Sequence, residues 1–315
     1  MKKLLAIACL YCSLVHAQKE KITFKEPVFY PEGIAYNKST NSFFVGSVKT
    51  GTIGTVDMNG IYKTFHADPS LKSSFGMKVD TKQNLLWVCT GDPNYSVYSD
   101  SATYKKLARL IAIDIATNKK VKDIDLSKLH DGKHFLNDLA LDSLGNMYLT
   151  DSYSPVIYMV RANGKAGVFA QSDLFKGADI GLNGIVWHTN DFLLAVNNSN
   201  GSILKVNKNG EVATVKINTF FPGADGLLLN GQGKLILVQN KGVNKIFTIV
   251  SKDNWATAEV ESTTAAADLF QNPSTITMVN GKIYAVNSKL NELQDPSIKP
   301  STEFTIQAAM FKPMK

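Results

Sequence analysis

Long apolar stretches are scarce in this 315-residue sequence, and the clearest one lies at the N-terminus. After two lysines comes LLAIACLYCSLV, which is shorter than the ~20 apolar residues that span a bilayer, and Ala17 is a small residue suited to cleavage. This pattern is typical of a secretory signal. We therefore predict a signal peptide over residues 1–17, a secreted or periplasmic mature chain and no membrane association after cleavage. A lipoprotein anchored at Cys9 is the alternative.

Cysteine is scarce as well, with 3 in the chain. Removal of the signal peptide removes Cys9 and Cys12 and leaves Cys89. A single cysteine cannot form an internal disulfide, so export does not imply a disulfide scaffold here. Cys89 lies in the strand-like run LLWVCTG, where we expect it to be a small buried hydrophobic residue.

Positive charge is present but not concentrated. The formal net charge of +7 falls to +5 once the two signal lysines are removed, and no long Lys/Arg block occurs. A dispersed charge of this size argues against a nucleic-acid partner.

Helical periodicity of any length is absent. Runs rich in Val, Ile, Tyr and Phe are bounded by Gly, Asn and Asp, which predicts all-β structure. One pattern also recurs: a lead residue, an alternating strand, a polar turn, and a second apolar strand that ends in small or polar residues. Its six copies are EGIAYNKSTNSFFVGS, FGMKVDTKQNLLWVCTG, NDLALDSLGNMYLTDS, NGIVWHTNDFLLAVNNS, DGLLLNGQGKLILVQN and STITMVNGKIYAVNS.

The repeat spacing predicts a six-bladed β-propeller. The lead residues are 43, 62, 46, 42 and 49 positions apart, and one four-stranded blade takes ~40–50 residues. The long interval contains residues 92–108, which we expect to be a loop insertion on one face. A closed ring makes residues 18–315 a single domain. The N-terminal KITFKEPVF is placed to pair with the last blade and close the ring, which protects the strand edges.

The lead residues predict a polar site at the mouth of the central channel, because the first strand of each propeller blade lies nearest the axis. They include two carboxylates, which would repel each other in a narrow channel unless a proton or cation lay between them. Carboxylate and amide oxygens suit calcium first, with magnesium, manganese or zinc as alternatives. Asn-Gly and Asp-Gly pairs are also common turn residues, but their shared register favours a site. The six lead residues are Glu32, Phe75, Asn137, Asn183, Asp225 and Ser274.

These motifs resemble the senescence-marker-protein/gluconolactonase family of six-bladed propellers, with diisopropyl fluorophosphatase and the paraoxonases as more distant relatives. The matching pieces follow the family's order over nearly all of the mature chain. They are PEGIAY (31–36), FLNDLALDSLGNMYLTDS (135–152), GLNGIVW (181–187) and GADGLLL (223–229).

The resemblance implies one divalent cation, usually calcium, held by Glu32, Asn183 and Asp225, with Asn137 bound directly or through water. It implies hydrolysis of a lactone or related ester, in which the cation polarises the carbonyl. Asp225 would then be the general base for water or a nucleophile. Asn137 would be a ligand or a substrate contact in the catalytic site.

Several other residues are weaker candidates. We expect His134 on a loop above the pocket, as a solvated residue rather than a catalytic one, and Asp138 in a structural hydrogen bond behind Asn137. Neither Arg109 nor Arg161 matches the sugar-contacting arginine of sugar lactonases, which puts gluconolactone itself in doubt. Further polar residues at strand ends that could line the pocket are Asp92, Asp151 and Asn197.

Three functions stay open on the sequence. The first is a secreted, metal-dependent hydrolase of a small-molecule lactone or ester, acting as a monomer. The second is a non-catalytic ligand-binding propeller with a structural ion in its channel. The third is a related activity, such as organophosphate hydrolysis or a strictosidine-synthase-like condensation, although the four polar lead residues argue against the condensation.

Overall fold

The computed structural model describes residues 20–314. The predicted signal peptide and the alternative lipid anchor at Cys9 lie outside the described residues and stay predictions. Among residues 20–314, no helix has the length and apolar character that crossing a membrane requires.

The strands form six separate antiparallel sheets, which confirms the all-β, six-bladed propeller. Blades one to three contain β2 (Pro31–Asn37), β3 (Ser42–Ser47), β4 (Ile53–Asp57), β5 (Tyr62–His66), β6 (Ser73–Asp80), β7 (Leu85–Gly91), β8 (Ala108–Asp114), β9 (Lys120–Asp125), β10 (Leu136–Leu141), β11 (Met147–Asp151), β12 (Val156–Val160) and β13 (Ala166–Gln171).

Blades four to six complete the ring. Their strands are β14 (Leu182–His188), β15 (Phe192–Asn197), β16 (Ile203–Asn207), β17 (Val212–Thr214), β18 (Ala224–Leu229), β19 (Leu235–Gln239), β20 (Lys245–Val250), β21 (Glu259–Thr264), β22 (Pro273–Val279), β23 (Lys282–Asn287) and β24 (Glu303–Ala308). Short 3₁₀ turns lie at Pro69–Leu71, Asp173–Phe175, Ala266–Asp268 and Leu290–Leu293.

The two ends of the described chain supply outer strands. β1 (Lys21–Lys25) pairs with β24 of blade six, so the predicted closure of the ring by the N-terminal segment is confirmed. β25 (Phe311–Pro313) pairs with β21 and adds a fifth strand to blade five. No strand interrupts residues 92–107, in agreement with the predicted insertion.

Burial explains why the second strand of each blade has so few polar residues. Every residue of β7, including Cys89, is buried, whereas no residue of the outer strand β5 is. An inner strand is covered by neighbouring blades on both faces, so it does not alternate apolar and polar residues. Aromatic contacts link adjacent blades, such as the stacked rings of Tyr148 and Trp187, whose centroids lie 5.0 Å apart.

A β-bulge occurs at the same place in the first strand of every blade. Two residues of the first strand face one residue of the second strand, and the first of these two is always the lead residue. A bulge redirects side chains relative to a regular strand. The bulged pairs are 32–33, 75–76, 137–138, 183–184, 225–226 and 274–275.

The second residue of each bulge lies against the next blade, which explains why four of the six are glycine. A Cβ at Gly33 would lie 2.0 Å from the carbonyl oxygen of Phe75, and one at Gly184 would lie 2.2 Å from that of Asp225. Where blade six meets blade one, the second bulge residue is Thr275 and not glycine. There the hydroxyls of Ser274 and Thr275 both donate to the carbonyl oxygen of Glu32. The bulges therefore set both the blade spacing and the positions of the lead residues.

We predict that Gly184→Ala lowers the free energy of unfolding by about 1–3 kcal/mol, the usual range for overpacking, because its methyl group would collide with a backbone carbonyl. Gly231→Ala is the control, since a Cβ there meets nothing within 4 Å. Urea denaturation of both variants measures the difference. Equal stability of the two variants would contradict this account of blade spacing.

Candidate functional site

A cavity of about 460 Å³ lies at the channel end where the lead residues are found. Glu32, Asn137, Asn183 and Asp225 all line it, and they come from blades one, three, four and five. Their exposures are only 3–6%. The structure thus brings the four predicted side chains to one cavity, while their roles stay a prediction.

Three oxygens in this cluster are buried without a hydrogen-bond partner. They are Oε2 of Glu32, Oδ1 of Asn183 and Oδ1 of Asp225. Leaving a buried acceptor unsatisfied costs about 1–3 kcal/mol, and more for a charged group. Three such oxygens from three blades are the arrangement expected where a hard cation binds.

Burial also disfavours ionisation of the carboxyl groups. It is the largest cause that raises the pKa of Asp225 to about 8, with the charge of Asp138 adding to it; hydrogen bonds from Asn240 and Asn183 oppose the rise. Burial likewise raises the pKa of Glu32 well above its usual range, and the nearby carboxylates of Asp225 and Asp138 raise it further. The cluster therefore resists holding its full negative charge without a counterion.

The charges near the channel suit a divalent ion. Burial raises the pKa of Asp138, whereas the positive charge of Lys78 lowers it. Three carboxylates (Glu32, Asp138 and Asp225) and one lysine leave two negative charges when all are ionised, which one divalent cation would balance. Residues 20–314 hold no group of three or more His, Cys, Asp or Glu side chains placed as a metal site, so this candidate set depends on its amides.

The remaining cavity wall comes mainly from loops that the repeat pattern does not describe. Tyr95 reaches it from the insertion after β7, and burial raises the pKa of its hydroxyl, with the charge of Asp179 adding to the effect. Sequence reasoning missed Tyr95 and Asp179 because they lie outside the repeated hairpins. Other polar wall residues are Asn198, Ser199, Asn240, Lys241, Asn272, Asn291 and Gln294.

His134 lies outside the strands as expected, but the expectation that its side chain is solvated is wrong. His134 is buried, and its Nδ1 lies 2.8 Å from Oδ2 of Asp151, which is itself fully buried. Burial lowers the pKa of His134, but the hydrogen bond and charge of Asp151 outweigh it and raise the pKa overall. His134 does not line the cavity. Together with Asp151, which also accepts from the backbone N–H of Phe135 at 2.9 Å, it fixes the chain entering blade three.

The other weaker candidates also have structural contacts. Asp92 does not line the cavity; its carboxylate accepts from the hydroxyls of Ser99 and Thr103 and organises the insertion. Asp138 makes the expected structural hydrogen bonds, since it accepts from the backbone N–H groups of Leu139 at 2.8 Å and Ile185 at 3.3 Å.

Two further expectations concern strand ends and arginines. Asn197 donates to the carbonyls of Leu174 and Lys176 and supports the loop before blade four instead of lining the pocket. Neither Arg109 nor Arg161 lines the cavity. Arg109 is paired with Asp123.

Known structures with this architecture were found by comparison. The chain superposes on the major allergen Mala s 1 of Malassezia sympodialis with a TM-score of 0.73 and 16% identity, covering 94% of this chain and 97% of the allergen. A luciferin-regenerating enzyme gives a TM-score of 0.62 and 14% identity over 93% and 97% of the two chains. A gluconolactonase-family protein gives 0.60 and 14% over 94% of each.

These neighbours confirm the resemblance at the level of the fold, a six-bladed propeller like that of gluconolactonase-type proteins. No family model matches the sequence, and no curated protein matches it.

The raised pKa of Asp225 predicts how the metal-free protein responds to pH. A carboxyl group with a raised pKa stays protonated in the folded state while it ionises in the unfolded chain. Its contribution to stability is therefore present below the ordinary pKa of 3.8 and is lost as pH rises toward about 8. We expect the stability of chelator-treated protein to fall across this range relative to Asp225→Asn, which cannot ionise. Thermal melts from pH 4 to 9 measure this, and parallel curves for the two proteins would contradict it.

Proposed function

We propose that this protein is a divalent-metal-dependent hydrolase of lactones or related esters. The observation that carries the proposal is the set of three unpartnered, buried oxygens from Glu32, Asn183 and Asp225 on one cavity. Hydrophobic or hydrogen-bonded side chains would fill a purely structural channel at lower free-energy cost.

Calcium is the proposed cation, with magnesium, manganese or zinc as alternatives. The proposed ligands offer only carboxylate and amide oxygens, which are hard donors. Glu32 and Asp225 supply negative charge, Asn183 supplies a neutral oxygen, and Asn137 of blade three completes the set. Such a cation would supply Lewis-acid polarisation of a substrate carbonyl and would lower the pKa of bound water.

Asp225 is the residue that we assign to the chemical step. Its Oδ2 accepts a hydrogen bond from Nδ2 of Asn240 at 2.5 Å, whereas its Oδ1 has no partner. A carboxylate held in one orientation with one free oxygen can take a proton from an attacking water, or attack a carbonyl itself. Asn137, whose side chain lines the same wall, can contact the substrate oxygen or the cation.

The substrate is a small molecule, because the cavity of about 460 Å³ lies within the ~300–1,000 Å³ of typical ligand sites. Amide, hydroxyl and lysine side chains on the wall favour a polar ligand. We further propose that the enzyme acts as a monomer in the secreted or periplasmic state that its N-terminal sequence predicts.

The second candidate is a ligand-binding propeller with a structural ion. It is favoured by the similarity in fold to the allergen Mala s 1, which is not named as an enzyme. The two candidates differ in turnover. A panel of lactones, carboxylic esters and organophosphate esters, assayed with several divalent ions, separates them. Binding without turnover of any substrate class would favour the second candidate.

Metal binding itself should raise stability, because a ligand that binds only the folded state stabilises it. At a calcium concentration 100 times the dissociation constant, the gain is about 2.7 kcal/mol. Thermal melts with calcium and with a chelator measure the gain, and Glu32→Gln combined with Asp225→Asn provides a control that should not respond. Equal melting temperatures and equal activity with and without metal would be incompatible with the proposal.

The role of Asp225 is tested by Asp225→Asn. This change keeps an oxygen for the cation but removes the basic site, so turnover at saturating metal should fall at least ~100-fold. Asn183→Asp has the opposite charge effect: it should bind the cation more tightly and make it a weaker Lewis acid. Steady-state kinetics of both variants at several metal concentrations separate lost affinity from lost chemistry. Full activity of Asp225→Asn would leave Asp225 as a ligand only.

A further inference from the structure

One position per blade lies beside the lead residues without belonging to them. In the second strand, one residue pairs with the first-strand residue just before the bulge, and the position in question is the next one along the chain. The six positions are therefore equivalent by register. We call them the collar positions. They are Val48, Gly91, Ser152, Asn198, Asn240 and Ser288.

The collar residue of blade three determines which way the Asn137 amide faces. The hydroxyl of Ser152 gives its only proton to the carbonyl oxygen of Leu182, at 2.5 Å. It can then only accept a further hydrogen bond, and it accepts one from Nδ2 of Asn137 at 3.0 Å. The amide must therefore keep its nitrogen toward Ser152, which leaves the carbonyl oxygen Oδ1 available to the cavity.

The collar residue of blade five acts on Asp225 in the same way. Nδ2 of Asn240 donates to Oδ2 of Asp225 at 2.5 Å, and an ionised carboxylate can only accept. The contact engages one carboxylate oxygen and leaves Oδ1 as the unpartnered one. Asn240 thus selects which oxygen of Asp225 is available.

We propose that Ser152 and Asn240 are positioning residues, which orient the oxygens of Asn137 and Asp225 toward a bound divalent cation. The inference rests on the metal site of the proposed function. Without Ser152, the amide of Asn137 is free to rotate and present its N–H₂ group, which repels a cation. Without Asn240, the carboxylate of Asp225 loses the hydrogen bond to Oδ2 and keeps only the weaker restraint from Asn183. Neither residue needs to touch the cation.

The other two polar collar residues are matched controls, because their hydrogen bonds end on backbone carbonyls alone. Ser288 donates to the carbonyl oxygen of Asn272 at 2.5 Å, and Asn198 donates to that of Ala224 at 2.9 Å. Ser288→Ala removes the same type of hydroxyl contact as Ser152→Ala, but no contact to a proposed ligand. Asn198→Ala is the corresponding control for Asn240→Ala.

The test is calorimetric titration of calcium chloride into metal-free protein, for the wild type and these four variants. Partners that orient metal ligands typically contribute ~10–100-fold in metal affinity. We expect a loss of that size for Ser152→Ala and Asn240→Ala, and much less than tenfold for Ser288→Ala and Asn198→Ala. Ser152→Thr retains the hydroxyl and should restore most of the affinity. Melting temperatures of the metal-free variants show the stability change alone, which we expect to be similar within each pair.

The outcomes separate this inference from the proposed function. If the wild-type protein binds no divalent cation, both the proposed metal site and this inference are overturned. Wild-type protein that binds calcium while Ser152→Ala and Asn240→Ala bind it equally well overturns the inference alone. An equal loss of affinity in all four variants also overturns it, because the effect would then follow stability instead of ligand orientation.

Discussion

The two-against-one bulge at the start of each blade is the constraint on which the ring and its candidate site both depend. It takes the lead residue out of the regular alternation of the strand, and it brings the following residue against the next blade. At Gly184 the available space is smaller than a methyl group, since a Cβ would lie 2.2 Å from the Asp225 carbonyl oxygen. The backbone of Asp225, a proposed ligand on blade five, is thus held by blade four. A site fixed by sheet register keeps its geometry better than one built on loops.

The same constraint places like charges together in a buried channel. Glu32, Asp138 and Asp225 are each at most 6% exposed, and repulsion between buried carboxylates opposes folding with all of them ionised. The apolar contacts between blades must offset this cost, while Lys78 and a bound divalent cation would reduce it. Buried carboxylates with raised pKa values are unfavourable for stability, and such groups cluster at functional sites. Their presence in the channel is therefore expected if the channel holds a ligand.

Much of the fold was predictable because a blade is short and repeated. Each blade contains a hairpin with the same sequence pattern. This pattern predicted the repeat period of the blades, the closure of the ring by the N-terminal strand and the loop insertion after β7. The common location of Glu32, Asn137, Asn183 and Asp225 followed from their shared register. The burial of His134 could not be predicted, because His134 precedes β10 and its partner Asp151 lies 17 residues away at the end of β11. The contact becomes visible only when the strands are paired.

The collar positions show a second reason why sequence reasoning is incomplete. Ser152 and Asn240 resemble ordinary turn residues, and the equivalent positions of blades one and two hold Val48 and Gly91, so no repeated residue type marks them. Their importance depends on which atoms their hydrogen bonds reach. The wall residues add a third reason, since loops such as the one that carries Tyr95 lie outside the bulged strands. Cation binding and ligand selectivity would therefore be determined by different parts of the chain, so the loops could change the substrate while the ring keeps the oxygens in place.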